Sequence, residues 1–171
     1  MKKTLSFFIL FLVVTIAMSQ NSKSKIANAD IKDLEGKVIN TSTFSNNEKP
    51  MIISFWATWC KPCVNELSAI AENYEAWQKE TGVKLIAISI DDSRSMSRVA
   101  PFVNGKDWTY EVFCDPNGDF KRAMGVVNVP HTFLIDGKGN IVWQHTVFAE
   151  GDELKLYEIV KKVAAGEEIK E

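Results

Sequence analysis

The chain has 171 residues, enough for one domain with a real core, and its apolar fraction of 46% is that of a globular protein. The formal net charge is −2 with no basic stripe, which excludes nucleic acid as a partner. No internal repeat or long low-complexity run is present.

Lys2 and Lys3 form a basic start, and Leu5 to Ala17 is nearly all apolar. Ala17-Met18-Ser19 then places small residues at −3 and −1 of a cleavage point before Gln20, the pattern of a secretory signal peptide. The apolar run is shorter than the ~20 residues of a comfortable spanning helix, so an uncleaved membrane anchor is the alternative. No Cys follows the small residues, which disfavours a lipoprotein anchor. The expected organisation is a signal peptide over 1–19, a flexible leader over 20–25 and one domain over 26–167.

Within that domain, Asp33-Leu34-Glu35-Gly36-Lys37 predicts a turn between two short strands. Asn46 to Pro50 is a loop, and Met51 to Trp56 reads as a buried strand. From Lys61 the pattern turns helical, with Val64, Leu67, Ile70, Ala71, Tyr74 and Trp77 at spacings of three and four and Gly82 as a stop. Val83 to Ile90 predicts a second buried strand. Ser95 or Ser97 is placed to cap a short helix over Arg98 to Asn104. Tyr110 to Cys114 predicts a third strand, and Asp119 to Met124 a short helix ended by Gly125. Thr132 to Ile135 and Ile141 to His145 predict a hairpin around Asp136 to Asn140. Asp152 to Ala165 predicts an amphipathic helix with Leu154, Tyr157, Ile159, Val160 and Val163 on its apolar side. This order predicts an α/β domain whose central sheet carries helices on both faces and is made mixed by the closing hairpin.

The strongest chemical signal is Phe55-Trp56-Ala57-Thr58-Trp59-Cys60-Lys61-Pro62-Cys63, two thiols three residues apart between a strand and a helix. A disulfide across two residues constrains the unfolded chain little, so a structural staple is a weak reading even in an exported protein. A zinc site would call for four ligands, and no second C-x-x-C or close His pair exists. Cys60 falls where helix N–H groups and the positive end of the dipole favour a thiolate, with Lys61 beside it. Cys63 lies one turn deeper. Position alone therefore casts Cys60 as the attacking thiol and Cys63 as the resolving one.

Together with Val129-Pro130-His131-Thr132-Phe133-Leu134-Ile135-Asp136, this stretch resembles the exported thiol–disulfide oxidoreductases of the TlpA/ResA-like, AhpC/TSA-related group, over roughly residues 26–165. The resemblance implies a thioredoxin-like three-layer fold with an N-terminal β-hairpin and a helix–strand insertion around residues 95–114. It implies a redox-active Cys60–Cys63 disulfide, and a cis Pro130 packed against it. It also implies a backbone site at Val129 for an extended substrate segment. Trp59 is placed to border that docking surface, or else to join the core, while Trp56 packs beneath.

Several members of the group carry a glutamate three residues after the second cysteine, and Glu66 matches. A helix returns it to the face of Cys63, where it can take the thiol proton; the alternative is a solvated glutamate. The buried aspartate that cytoplasmic thioredoxins place six residues before the first cysteine is Ser54 here, a departure that leaves proton handling open.

The expected activity is reduction of protein disulfides outside the cytoplasm, in the periplasm. The resemblance suggests exported thiol or disulfide proteins such as apocytochrome c as substrates, and a membrane thiol carrier as electron donor. This reading needs no cofactor and no metal. The rival from a different class is a copper-binding metallochaperone using Cys60, Cys63 and His131, since thiolates suit Cu(I); the plainer expectation for His131 is a packed strand residue. A thiol peroxidase ranks last, because Thr58-Trp59-Cys60 lacks the Thr/Ser-x-x-Cys spacing. Cys114 is expected to be a small buried residue, with a second disulfide exchange as its alternative.

Overall fold

The apolar run Met51–Trp56 becomes strand β3, and every residue in it is buried, as a strand covered on both faces must be. The structure is a computed structural model describing residues 24–169. The expected signal peptide lies outside the described residues, as do residues 20–23 of the expected leader. Ahead of β3, strands β1 (Asp30–Lys32) and β2 (Val38–Asn40) flank the expected turn, where Gly36 takes a φ of +89° that favours glycine. Helix α1 (Lys61–Thr81) follows β3 and ends at Gly82, whose φ of +69° and N–H bond to the Gln78 carbonyl form a left-handed cap.

Next come β4 (Lys84–Ser89), a 3₁₀ turn running into α2 (Val99–Asn104), β5 (Glu111–Cys114) and α3 (Asp119–Ala123). Strands β6 (His131–Ile135) and β7 (Ile141–Thr146) make the hairpin, and α4 (Asp152–Ala164) closes the domain. One mixed sheet results, in the order β2-β1-β5-β4-β3-β6-β7. β3 runs parallel to β4 and antiparallel to β6, and β4 runs parallel to β5. The Ser24 carbonyl accepts from the Ile141 N–H and Lys25 bridges Asn140, so backbone pairing reaches ahead of residue 26.

The strand period of two divides the core. Ile52 and Trp56 face α1, α2 and α4, where they pack among Leu67, Ile70, Val99, Leu134 and Val160. Met51, Ile53 and Phe55 face the other side, with Phe120 of α3, Phe133 and Ile135. Ser54 therefore looks toward α1, which matters for the site. Among the described residues, no helix is long and apolar enough to cross a membrane.

Two expectations are corrected. Leu154 is exposed, and the buried stripe of α4 is Leu156, Val160 and Val163. At 100° per residue, Leu154 sits about 200° from Leu156, on the far side of the helix. Ser95 occupies the N-cap position of the turn before α2 but makes no side-chain capping bond, and Ser97 does not cap it. Ser95 precedes it, but its hydroxyl bonds back to Asp92 (3.0 Å to Oδ1), while Ser97 lies inside the turn.

Candidate active site

Cys60 is the N-cap of α1, with Pro62 in the first turn, where a missing N–H costs nothing. It is joined to Cys63 as a disulfide with the Cα atoms 5.3 Å apart, and the Cys63 N–H points at its Sγ from 3.3 Å. Cys60 keeps 6% of its surface exposed and Cys63 none, so an incoming sulfur reaches Cys60 first. When the disulfide opens, the helix terminus that now faces the Cys60 sulfur favours its thiolate.

The loop carrying Cys60 is pinned from β4. Asp91, fully buried just past that strand, accepts from the Thr58 N–H (2.8 Å), the Thr58 hydroxyl (2.7 Å) and the Ser89 hydroxyl (2.8 Å). No motif in the sequence singles out Asp91. Its local signal is its place alone: an acid two residues past a mostly apolar strand, at the carboxyl end of paired parallel strands where sites form.

The Val129–Pro130 bond is cis, as the resemblance implied, and the Val129 carbonyl oxygen lies 3.7 Å from Cys60 Sγ. The Pro130 carbonyl accepts from the Val147 N–H at 3.3 Å. Trp59, Val127 and Val147 are all exposed and tied to this junction by chain or hydrogen bond. At 66% exposed, Trp59 does not join the core. Trp56 is fully buried beneath, in a three-ring cluster with Phe102 and Trp108.

Glu66 is no solvated glutamate, for only 3% of it is exposed. The β3–β6 register opposes Ser54 to Thr132, and the Thr132 hydroxyl donates to Glu66 Oε1 at 2.7 Å. Thr132 Oγ1 also lies 3.0 Å from Ser54 Oγ, and a hydroxyl has one proton, so Ser54 donates to Thr132. Glu66 Oε2 has no hydrogen-bond partner among the described residues. Burial pushes the Glu66 carboxyl up to about 7; the Thr132 hydrogen bond opposes the shift and the negative charge of Asp152 adds to it. Such a group exchanges a proton near neutral pH, the property of a general base. The sequence missed Thr132 as its partner.

The sequence profile of the AhpC/TSA family matches residues 23–144, well over half of the chain. The chain belongs to the AhpC/TSA family. Thiol-disulfide oxidoreductase ResA of Bacillus thuringiensis subsp. konkukian is 35% identical over 136 residues, which cover 80% of this chain and 75% of the relative. A thioredoxin-like protein of Porphyromonas gingivalis solved in solution shares 48% identity at a TM-score of 0.74, over 85% of this chain and 95% of its own. A putative thiol:disulfide interchange protein DsbE of Chlorobium tepidum superposes at 0.71 with 25% identity, over 83% of this chain and 96% of its own. With a closed Cys60–Cys63 pair and a thioredoxin-like fold, this AhpC/TSA member is a thiol–disulfide oxidoreductase.

The remaining candidates of the AhpC/TSA chain fall away from the dithiol. His131 has the strand parity of Phe133 and Ile135, on the sheet face opposite Glu66. It stacks on Phe133 at 4.3 Å and meets Gln144 Oε1 at 3.1 Å through Nε2, and burial lowers its pKa. It does not converge with Cys60 and Cys63, and no cluster of three metal-ligating side chains occurs among the described residues. Cys114 is 2% exposed, and burial followed by the charge of Asp91 pushes its thiol up to about 11. A thiol held protonated in this way packs and does not exchange.

Proposed function

We propose that this protein reduces disulfides in exported proteins. The asymmetry of the dithiol carries the reading: a helix-capping Cys60 at the surface and a wholly buried Cys63 one turn behind. The Cys60 thiolate attacks a substrate disulfide and releases one substrate sulfur as a thiolate. Cys63 gives its proton to Glu66 and attacks Cys60 Sγ. The second substrate sulfur leaves, and the Cys60–Cys63 disulfide remains. Trp59, Pro130 and the Val129 backbone hold the extended substrate segment, with Val127 and Val147 widening the apolar rim.

The basic, apolar and small-residue order of residues 2–19 supports export to the periplasm with cleavage before Gln20. Likeness to the thiol-disulfide oxidoreductase ResA supports dithiol–disulfide exchange at Cys60 and Cys63. The substrates are exported thiol proteins, apocytochrome c among them, and a membrane thiol carrier restores the dithiol.

Redox titration of the mature domain against glutathione tests the direction. A reductase should titrate near the thioredoxin value of about −270 mV or below; a midpoint near the −120 mV typical of strong oxidants would reverse the assignment.

A further inference from the structure

Behind Glu66, away from Cys60, a cavity of about 40 Å³ opens between β7 and the first turns of α4. Its lining includes Glu66, Trp143, His145, Asp152 and Leu156. The β6–β7 register sets His145 directly opposite Thr132, so the imidazole shares the sheet face of the hydroxyl that holds Glu66. Two buried polar atoms of this lining, Glu66 Oε2 and His145 Nε2, have no hydrogen-bond partner among the described residues. The His145 ring is stacked flat on Trp143 at 5.6 Å, and Asp152 Oδ2 lies 3.7 Å from its Nε2. Asp152 is itself fixed by the Ala149 N–H and the Lys155 ammonium, each at 2.8 Å. The His145 side chain is 31% exposed, so the ring spans from the cavity to solvent. A water needs only about 10–15 Å³ of such space and two to four polar partners, and both conditions are met.

We propose that His145, oriented by Asp152, is the proton exit of Glu66, reached through water in this cavity. The inference rests on the reading that Glu66 accepts the Cys63 proton. In each turnover the Cys63 S–H proton passes to the Glu66 carboxylate as the Cys60–Cys63 bond forms and the substrate thiolate leaves. Glu66 must stand as the carboxylate when Cys63 attacks, so any proton it carries has to leave before resolution as well as between cycles. The cavity lining shares no residue with the Trp59, Val129 and Pro130 surface, so the exit stays open while a substrate covers Cys60. An imidazole suits the task because one nitrogen can receive a proton while the other gives one up. The titratable groups around Glu66 are Asp152, Glu153 and Lys155 from α4, His145 from β7, Tyr110 just ahead of β5, and Cys63 on its own helix. His145 and Asp152 act through Glu66 and are positioning residues.

Stopped-flow reduction of a chromogenic aryl disulfide by the reduced protein separates the steps, because attack and resolution each release one coloured thiolate. His145→Gln should leave the first phase unchanged and slow the second on the order of ten-fold, less than the 10²–10⁴ expected of a direct general base. Added imidazole should restore the lost rate. In a Glu66→Gln background His145→Gln should have no further effect. Asp152→Asn, which leaves β7 untouched, should show a smaller slowing with the same dependence on Glu66. A second phase of wild-type rate and pH profile in both variants, or slowing that persists in the Glu66→Gln background, would overturn the exit route while leaving Glu66 as the base. Unchanged resolution in Glu66→Gln alone would remove the reading on which the exit depends, and the exit with it.

Discussion

Replacing Cys60 by serine is expected to reduce insulin-disulfide reduction to the background rate. A serine hydroxyl at the head of α1 keeps the cap but offers no sulfur to the substrate. Stability should change little, because the Cys60–Cys63 disulfide encloses only two residues and constrains the unfolded chain weakly. Cys114→Ala should keep full activity, since that thiol is buried and held protonated away from the pair. Insulin reduction by the three proteins, with urea unfolding as the control, separates lost chemistry from lost fold. Equal activity in wild type and Cys60→Ser would remove the dithiol from the mechanism.

Glu66→Gln should move activity and stability in opposite directions. The amide keeps the size and the Thr132 hydrogen bond but cannot take a proton. Resolution of the mixed disulfide should slow by about 10²-fold or more, the range for loss of a general base. Its rate should also lose the rise through pH about 7 that ionisation of Glu66 gives the wild type.

Stability follows from linkage. Burial raises the Glu66 carboxyl from 4.5 to about 7, so between those values the native state holds a proton that the unfolded state has released. The contribution of this group is complete below pH 4.5 and is lost as pH rises through 7. Glutamine stays neutral throughout, so the variant should match wild type at pH 4 and exceed it by about 3 kcal/mol at pH 8. Urea midpoints at the two pH values read the difference. A variant less stable at pH 8 would show Glu66 to be a structural anchor and not a base kept in place at a cost.

Local pattern carried most of this fold into view. The run Met51–Trp56, the helical spacing from Val64 to Trp77 and the glycine at 82 each follow from one segment's own periodicity, and each element formed where expected. Cys60 and Cys63 were legible for the same reason, because the chemistry of a C-x-x-C lies in its spacing. What stayed hidden depends on contacts between distant segments. Glu66 gains its character from Thr132 and Ser54, which meet it only through the β3–β6 register. Asp91 holds Thr58 across 33 residues of chain; its place past β4 marks it as a site candidate, but nothing in either neighbourhood names Thr58 as its partner. His131 stands next to Pro130 in sequence, yet strand alternation turns it to the opposite face; adjacency suggested a ligand that geometry removes. Leu154 failed for a smaller reason: the phase of α4 depends on where its first turn packs, and the apolar stripe runs through Leu156 instead.

The central claim is that Cys60 attacks and Cys63 resolves. Trapping with Cys63→Ser tests it most directly, because a protein without its resolving thiol should stop at the mixed disulfide. Incubated in reduced form with a disulfide peptide and analysed by intact mass and peptide mapping, it should carry one peptide, bound to Cys60 and released by dithiothreitol. Cys60→Ser under the same conditions should carry none. An adduct mapped to Cys114, or one formed equally well on Cys63 in the Cys60→Ser protein, would contradict the account.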